Sequence, residues 1–354
     1  MSQAINLALQ GGGAHGAFTW GALDRILEET SMGIEGITAT SAGAMNAIAL
    51  KHGWVRDGRA GARTSLEKFW LRVAGLDGVI GEEMLDWLHY LWPSPAVTSR
   101  LLEFNPAVLA GDAITRVLSP YQFNPGNYHP LRGIVAEMVD TGSAASTRGP
   151  KLFVSATNIR DGRPRIFQGR EITTDAILAS ACLPTLYQAI EIDDAKTGRR
   201  EAYWDGGYMG NPALYPLHYH TKAQDIVIVH INPLYRDDLP RTAGEIVSRI
   251  NEITFNASLL RELRNIDFVN RLLDDGTIAP GRMKRKFVHS VSDDVLMNQL
   301  GLVTKMAISR TLLLQLRDAG RAAMDRFLAE HRDKLGRRSS VDLEAVVTWP
   351  GSVV

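Results

Sequence analysis

Hydrophobic and polar positions change period several times along the first fifty residues, and each change marks an element. Residues 4–10 (AINLALQ) form a short apolar run suited to a buried strand. Residues 16–29 (GAFTWGALDRILEE) then place Phe18, Ala22, Ile26 and Leu27 at helical spacing. Residues 34–40 (IEGITAT) predict a second strand, and residues 42–52 (AGAMNAIALKH) are small and apolar nearly all round, as in a helix buried against a sheet. An opening of strand, helix, strand, helix is the signature of an α/β fold with a parallel sheet.

From about residue 54 to 150 the periodicity loosens into a segment rich in Trp, Leu and Pro, which reads as a helical insertion or cap over the core. Strand character returns at 151–157 (KLFVSAT) and around 165–168, with a turn at Arg160-Asp161-Gly162, and a helix is expected at about 173–182. Residues 188–192 and 201–204 predict a further strand pair. Residues 225–231 (DIVIVHI) are almost uninterruptedly β-branched, the composition of a central parallel strand covered on both faces. Beyond Arg241 the pattern is mostly helical, including about 301–331, with a short strand at 286–291. No internal repeat or low-complexity linker divides the chain. The expected organisation is a core over 1–235, carrying the insertion, and a mostly helical extension over 236–354 packed on the same domain.

Composition narrows the function classes. The 354 residues are 45% hydrophobic and 22% charged, as in a globular protein with a substantial core. Lys+Arg and Asp+Glu both number 39, so no net field recommends nucleic acid as a partner. The lone cysteine, Cys182, excludes an internal disulfide framework and a multi-cysteine metal site, and is expected in the core. The N-terminus has neither a basic segment nor a long apolar one, so a cytoplasmic location is expected, with export without a cleaved signal left open. With no run of about 18 apolar residues, membrane contact is expected to be peripheral.

The candidate chemistry begins at Gly11-Gly12-Gly13, where the first strand ends. Gly11-x-Gly13-x-x-Gly16 also spells a dinucleotide fingerprint, but that site needs an acidic residue at the end of the second strand to hold the ribose. Here the second strand ends in Ala39-Thr40-Ser41, and its only acidic residue, Glu35, stands near its start. The strand runs instead into "ATSAGA", a serine at a strand-to-helix junction among small residues, as in a nucleophile elbow. A serine in so sharp a turn needs tiny neighbours two before and two after, and Ala39 and Gly43 meet that need. The helix that follows aims its first amides at the same spot, where the Ala42 N–H can donate to developing negative charge. Gly11, Gly12 and Gly13 then read as further oxyanion donors, since glycine adopts the required backbone conformations without cost. A serine also needs a base. Asp205 ends a short apolar strand and is followed by Gly206 and Gly207, which leave room around its carboxylate.

With the glycine loop GGGAHG, the elbow ATSAG and the Asp205-Gly206-Gly207 turn in that order, the sequence resembles the patatin-like phospholipases over roughly residues 5–232. "DAILASACLPTLYQAIEI" is similar to the stretch that precedes the aspartate in that family. The resemblance implies a three-layer α/β/α fold with a central, mostly parallel sheet, and a lipid acyl hydrolase working through a Ser-Asp dyad. It makes Ser41 the nucleophile, Asp205 the base and the three glycines the oxyanion donors, with no metal and no cofactor. The partner implied is an acyl lipid met at a membrane or micelle surface. Two positions depart from the family pattern: Ala39 replaces the first elbow glycine, and His15 stands in the loop where Arg or Lys is more common. His15 either lines the substrate mouth or packs against the first helix.

Other groups carry lesser expectations. His218, His220 and His230 would complete a Ser, Asp, His chain order, but a serine at the end of the second strand comes too early for an α/β-hydrolase triad, so they are expected to be structural or surface groups. Trp87, Leu88, Leu91 and Trp92 suit either a lid or a buried cap helix. Arg282 to Lys286 (RMKRK) reads as a solvated turn, and Asn46 and Asn211 as structural hydrogen-bonding groups. The apolar faces of the C-terminal helices offer a surface for a homodimer. A catalytically silent lipid-binding protein on the same scaffold is the alternative function.

Overall fold

The computed structural model describes residues 3–76, 110–111, 114–115, 117–139, 141–279, 281–306 and 308–347. The Trp87, Leu88, Leu91 and Trp92 cluster lies outside the described residues. Among them, eight strands form one sheet. In chain order the elements that frame the site are β1 (Gln3–Leu9), α1 (Gly16–Ile26), β2 (Met32–Thr40), α2 (Ala42–Ala74), β3 (Lys151–Asn158), β4 (Pro164–Gln168), α3 (Thr174–Ser180), β5 (Ile190–Asp194) and β6 (Arg199–Asp205). They are followed by α4 (Tyr215–His220), β7 (Asp225–Val229), α5 (Ala243–Asp274), β8 (Phe287–Val291), α6 (Leu302–Met306) and α7 (Arg310–His331). The sheet order is β5-β6-β3-β2-β1-β7-β8, with β4 also paired to β3. Strands β3, β2, β1, β7 and β8 are parallel, whereas β4 and β6 run antiparallel to β3 and β5 antiparallel to β6.

Both faces of the central strands are covered by helices, which explains the continuous apolar runs read in β1 and β7. Successive side chains of a strand point to opposite faces. Leu7, Leu9, Val227 and Val229 join α1, α2 and α7 in the larger core, while Ala8, Ile226 and Ile228 join α4 and α5 in the smaller. Within β1, Asn6 Nδ2 donates to the Ala223 carbonyl at 3.1 Å, while its Oδ1 is buried with no hydrogen-bond partner among the described residues.

Three elements differ from the sequence reading. The second helix runs to Ala74 rather than ending near residue 52, with non-helical backbone at Asp57 and Gly58 where it kinks. The expected helix at 301–331 is broken into α6 and α7, with Ser309 capping α7 by accepting from the Leu312 N–H at 3.1 Å. The basic run at 282–286 is not simply solvated. Lys284 and Lys286 donate to the Thr221 and Ala223 carbonyls at 2.9 and 2.7 Å, and Lys286 is buried.

The arrangement that forms the site is a shared edge of β3. Residues 151–155 of β3 pair with β2 and residues 156–158 with β6, while β4 pairs with 153–157 and so overlaps both. A strand has two edges, so β4 holds one and β2 and β6 follow each other along the other. Thr40 lies opposite Ser155, and Asp205 opposite Ala156. The end of β2 therefore meets the end of β6.

Helix α7 closes the larger core by crossing α1 at two glycines. A Cβ on Gly320 would stand 1.9 Å from the Phe18 carbonyl oxygen, and one on Gly21 would stand 1.8 Å from that of Arg317. Both contacts are with backbone, which cannot rotate away. Gly320→Ala should therefore force the helices apart and destabilise the protein by about 1–3 kcal/mol, measured as a lowered urea midpoint at unchanged slope.

Candidate active site

Ser41 occupies the junction between β2 and α2 with φ 54° and ψ −123°. A non-glycine residue there is strained, at a cost of order 1–3 kcal/mol, and it is held by its surroundings. The Ser41 N–H donates to Ser180 Oγ at 2.9 Å. The predicted small residues are small for visible reasons. A Cβ on Gly43 would lie 2.4 Å from the Leu9 carbonyl oxygen, and one on Gly11 would lie 2.5 Å from the Ser41 Cβ. Ala39 is fully buried, paired with Leu9 of β1 and Val154 of β3, and its methyl is accommodated in the core. Ala42 begins the helix, so its N–H has no carbonyl a turn earlier to bond.

Asp205 caps the turn that follows β6, and its exposure is only 2%. Its Oδ1 accepts from the Gly207 N–H at 2.7 Å, and its own N–H donates to the Cys182 carbonyl at 2.8 Å. Gly206 is pressed onto the end of β3, where a Cβ would stand 2.1 Å from the Ser155 carbonyl oxygen. Gly207 faces Phe255 of α5 in the same way, at 2.6 Å. Burial raises the Asp205 carboxyl to about 7, against the opposing effect of the Gly207 amide and of the Ser41 hydroxyl that faces it. The carboxylate is thus poised near neutrality beside a serine hydroxyl.

The glycine loop hangs from a buried network of amide side chains. Gln10 Oε1 accepts from the Ile231 and Asn232 N–H groups at 2.9 and 3.1 Å, and its Nε2 donates to Asn256 Oδ1 at 3.1 Å. The Gly11 N–H donates to Asn211 Oδ1 at 2.6 Å, and the Gly11 carbonyl accepts from Asn232 Nδ2 at 2.8 Å. Gly11 was expected to be an oxyanion donor, but its N–H is already committed to Asn211. Gly12 and Gly13 carry no such side-chain partner among the described residues, and Gly13 takes the left-handed φ of 60° that glycine favours.

His15 does not line the mouth of the site. It is 1% exposed, and its Nε2 lies 2.8 Å from Thr304 Oγ1 on α6. The threonine hydroxyl donates its proton to the Gly301 carbonyl at 2.7 Å, so it accepts from His15, which is the Nε2–H tautomer. Burial holds His15 well below its ordinary pKa, helped by Lys305 and Arg236. His218 and His220 lie on α4, where His220 stacks on Phe153 near the start of β3, at the far end of the sheet. His230 follows β7, buried, with burial lowering it to about 4. No histidine hydrogen-bonds Ser41 or Asp205 among the described residues.

Asn46 is structural as expected: it donates to the Gly16 and Ala42 carbonyls, each at 3.0 Å, and accepts from Trp70 Nε1 at 2.9 Å. Glu35 accepts from the Lys222 and Ala223 N–H groups at the start of the sheet, far from the glycine loop. The residues that sequence reasoning missed are Gln10, Ser180, Asn232, Thr304 and Lys305. Only Gln10, a polar end to an apolar strand, left a signal. Among the described residues no group of three or more His, Cys, Asp or Glu could hold a metal, and no helix is long and apolar enough to cross a membrane.

The buried carboxyl has a consequence for stability. Because its folded pKa exceeds the unfolded value of 3.8, the native state binds more protons between pH about 4 and about 7, and stability falls as pH rises through that window. The full effect is at most about 4 kcal/mol. Asp205→Asn should leave stability little changed at pH 4 and raise it at pH 8, as read by urea melts at both pH values.

No curated protein matches the chain. Among solved structures, VipD from Legionella pneumophila aligns over 92% of this chain and 67% of its own, at 13% identity and a TM-score of 0.42. The type III effector ExoU aligns over 92% of this chain at 15% identity and a TM-score of 0.32, so the match spans about half of ExoU, 53%. The family model for patatin-like phospholipases matches residues 7–218, more than half of the 354. That segment holds the glycine loop, the serine turn and the Asp205 turn, and the chain belongs to the patatin-like phospholipase family.

Proposed function

We propose that the protein is a serine lipid acyl hydrolase of the phospholipase A or lysophospholipase type. The observation that carries this reading is a serine in a strained strand-to-helix turn facing a buried carboxylate poised near pH 7, beside the amides of Gly12, Gly13 and Ala42, to which no side chain among the described residues hydrogen-bonds. Ser41 Oγ attacks the ester carbonyl of an acyl lipid as Asp205 takes the hydroxyl proton. The carbonyl oxygen becomes an oxyanion, and the Gly12, Gly13 and Ala42 amides stabilise it. Asp205 returns the proton to the leaving alcohol, and an acyl-serine remains. Water then attacks the acyl-enzyme with Asp205 again as base, and the fatty acid leaves with Ser41 restored. Each step is carried by groups of the chain itself.

Asp205 suits this role without a histidine because desolvation raises its basicity to about 7, near the pH at which it would act. The buried Gly207 amide keeps the carboxylate oriented toward Ser41. Gly11 supports the loop rather than donating, so the oxyanion site has two glycine donors and one helix donor.

The first test is reaction with a long-chain alkyl fluorophosphonate followed by peptide mapping. Adduct should form on Ser41 and be lost in Ser41→Ala. Ser41→Ala and Asp205→Ala should each lose ester hydrolysis by at least about a thousandfold while remaining folded. The hydrolysis rate should rise with pH through about 7, because only the ionised Asp205 can accept the proton. A folded protein that binds liposomes yet gives neither adduct nor product would instead be the catalytically silent lipid binder.

A further inference from the structure

The glycine loop is held from behind by residues beyond the family-matched segment, and the geometry reaches the proposed oxyanion donors. Helix α6 lies directly on the loop: a Cβ on Gly13 would fall 2.3 Å from the Lys305 carbonyl oxygen. Lys305 Nζ donates to Asn232 Oδ1 at 2.7 Å, and Asn232 Nδ2 donates to the Gly11 carbonyl at 2.8 Å. An ammonium can only donate, so it fixes which end of the Asn232 amide faces the loop. The Gly11 carbonyl and the Gly12 N–H belong to one planar peptide unit and point in opposite directions. Holding that carbonyl from behind therefore sets the direction of the Gly12 N–H. The next unit is held similarly, since the Gly12 carbonyl accepts from the His15 N–H at 3.3 Å and so orients the Gly13 amide. The series of bonds from ammonium to amide to carbonyl also polarises the Gly12 N–H toward stronger donation.

We propose that Lys305 is a positioning residue for hydrolysis, its ammonium acting through Asn232 to aim the Gly12 N–H at the oxyanion. The inference rests on the Ser41 hydrolase reading. A purely structural cation would be surplus here, because α6 is already anchored twice. Thr304 bonds His15, and Arg236 donates to the Asn298 and Leu300 carbonyls that lead into it, at 2.8 and 3.2 Å. Arg236 in turn makes a two-point pair with the buried Glu252 of α5, at 2.8 and 2.6 Å, which Arg249 also reaches at 3.2 Å.

The titratable and charged groups facing Lys305 are His15 on the loop, Arg236 after β7 and Glu252 on α5. His15 is held neutral. Burial lowers the Lys305 ammonium to about 8, Arg236 pushes it the same way, and Glu252 opposes them. A raised pH therefore discharges the group that holds Asn232 in place. The acid limb set by Asp205 and an alkaline limb set by Lys305 together give a bell-shaped rate profile with its maximum between about 7 and about 8.

The test uses the full-length protein and p-nitrophenyl butyrate. Lys305→Met, which keeps the apolar stem, should lower kcat about tenfold to a hundredfold with KM within about twofold, and slow fluorophosphonate labelling of Ser41 in parallel. It should also abolish the fall in kcat above pH about 8 that is expected of the unaltered protein. Lys305→Arg, charged throughout, should restore most of kcat and remain flat across that range, and this comparison stands even where Lys305→Met does not fold. Unchanged kcat in folded Lys305→Met, or an alkaline limb that persists in Lys305→Arg, overturns the proposal while leaving the hydrolase reading intact. No Ser41-dependent hydrolysis in the unaltered protein overturns both.

Discussion

One edge of β3 serves two strands, and the rest of the site follows from that sharing. β2 occupies its first half as a parallel neighbour and β6 its second half as an antiparallel one. Because hydrogen-bonded strands lie about 5 Å apart and in register, the last residue of one must meet the last residue of the other. The serine turn and the aspartate turn are thus joined through the backbone ladder of a third strand, not through a mobile loop. The cost is crowding, visible where Gly206 is pressed onto the end of β3 and Gly11 onto Ser41. Glycine is the one residue that fits in both places.

The same crowding excludes water, and the two effects work together. Asp205 sits where solvent cannot reach its carboxylate, which makes it more basic and the folded protein less stable above neutral pH. A carboxylate left in water would cost nothing and would also be a weak base. The stability given up at this point is offset by a large core on the α1, α2 and α7 face and a smaller one beneath α4 and α5.

Around the glycine loop, the backbone is held by polar side chains. Gln10, Asn211, Asn232 and Asn256 lie buried and bonded to one another and to loop backbone. Such a network is worth having only when every member is satisfied, and then it specifies one conformation sharply. The helices beyond the family-matched residues complete it, with Lys305 supplying the charge and His15 and Thr304 the anchor.

The sequence by itself determined the local features. The strand, turn, helix order at the N-terminus, the serine in its small-residue turn, the aspartate ahead of two glycines, and the doubly covered β7 are all written in spacings of fewer than about ten residues. Local sterics dictate those spacings, so they can be read without a partner. Only the tertiary structure decided how each group is used. Gly11 has the composition of an oxyanion donor, yet its N–H is taken by Asn211, two hundred residues along the chain. His15 sits in the loop motif but turns inward to Thr304, and Lys286, in a run of charges that reads as solvated, is buried against the Ala223 carbonyl. Lys305 carries no motif at all. A hydrogen-bond donor or a cation takes its meaning from the group it faces, and chain packing, which brings such groups together from distant positions, leaves no periodic trace in the sequence.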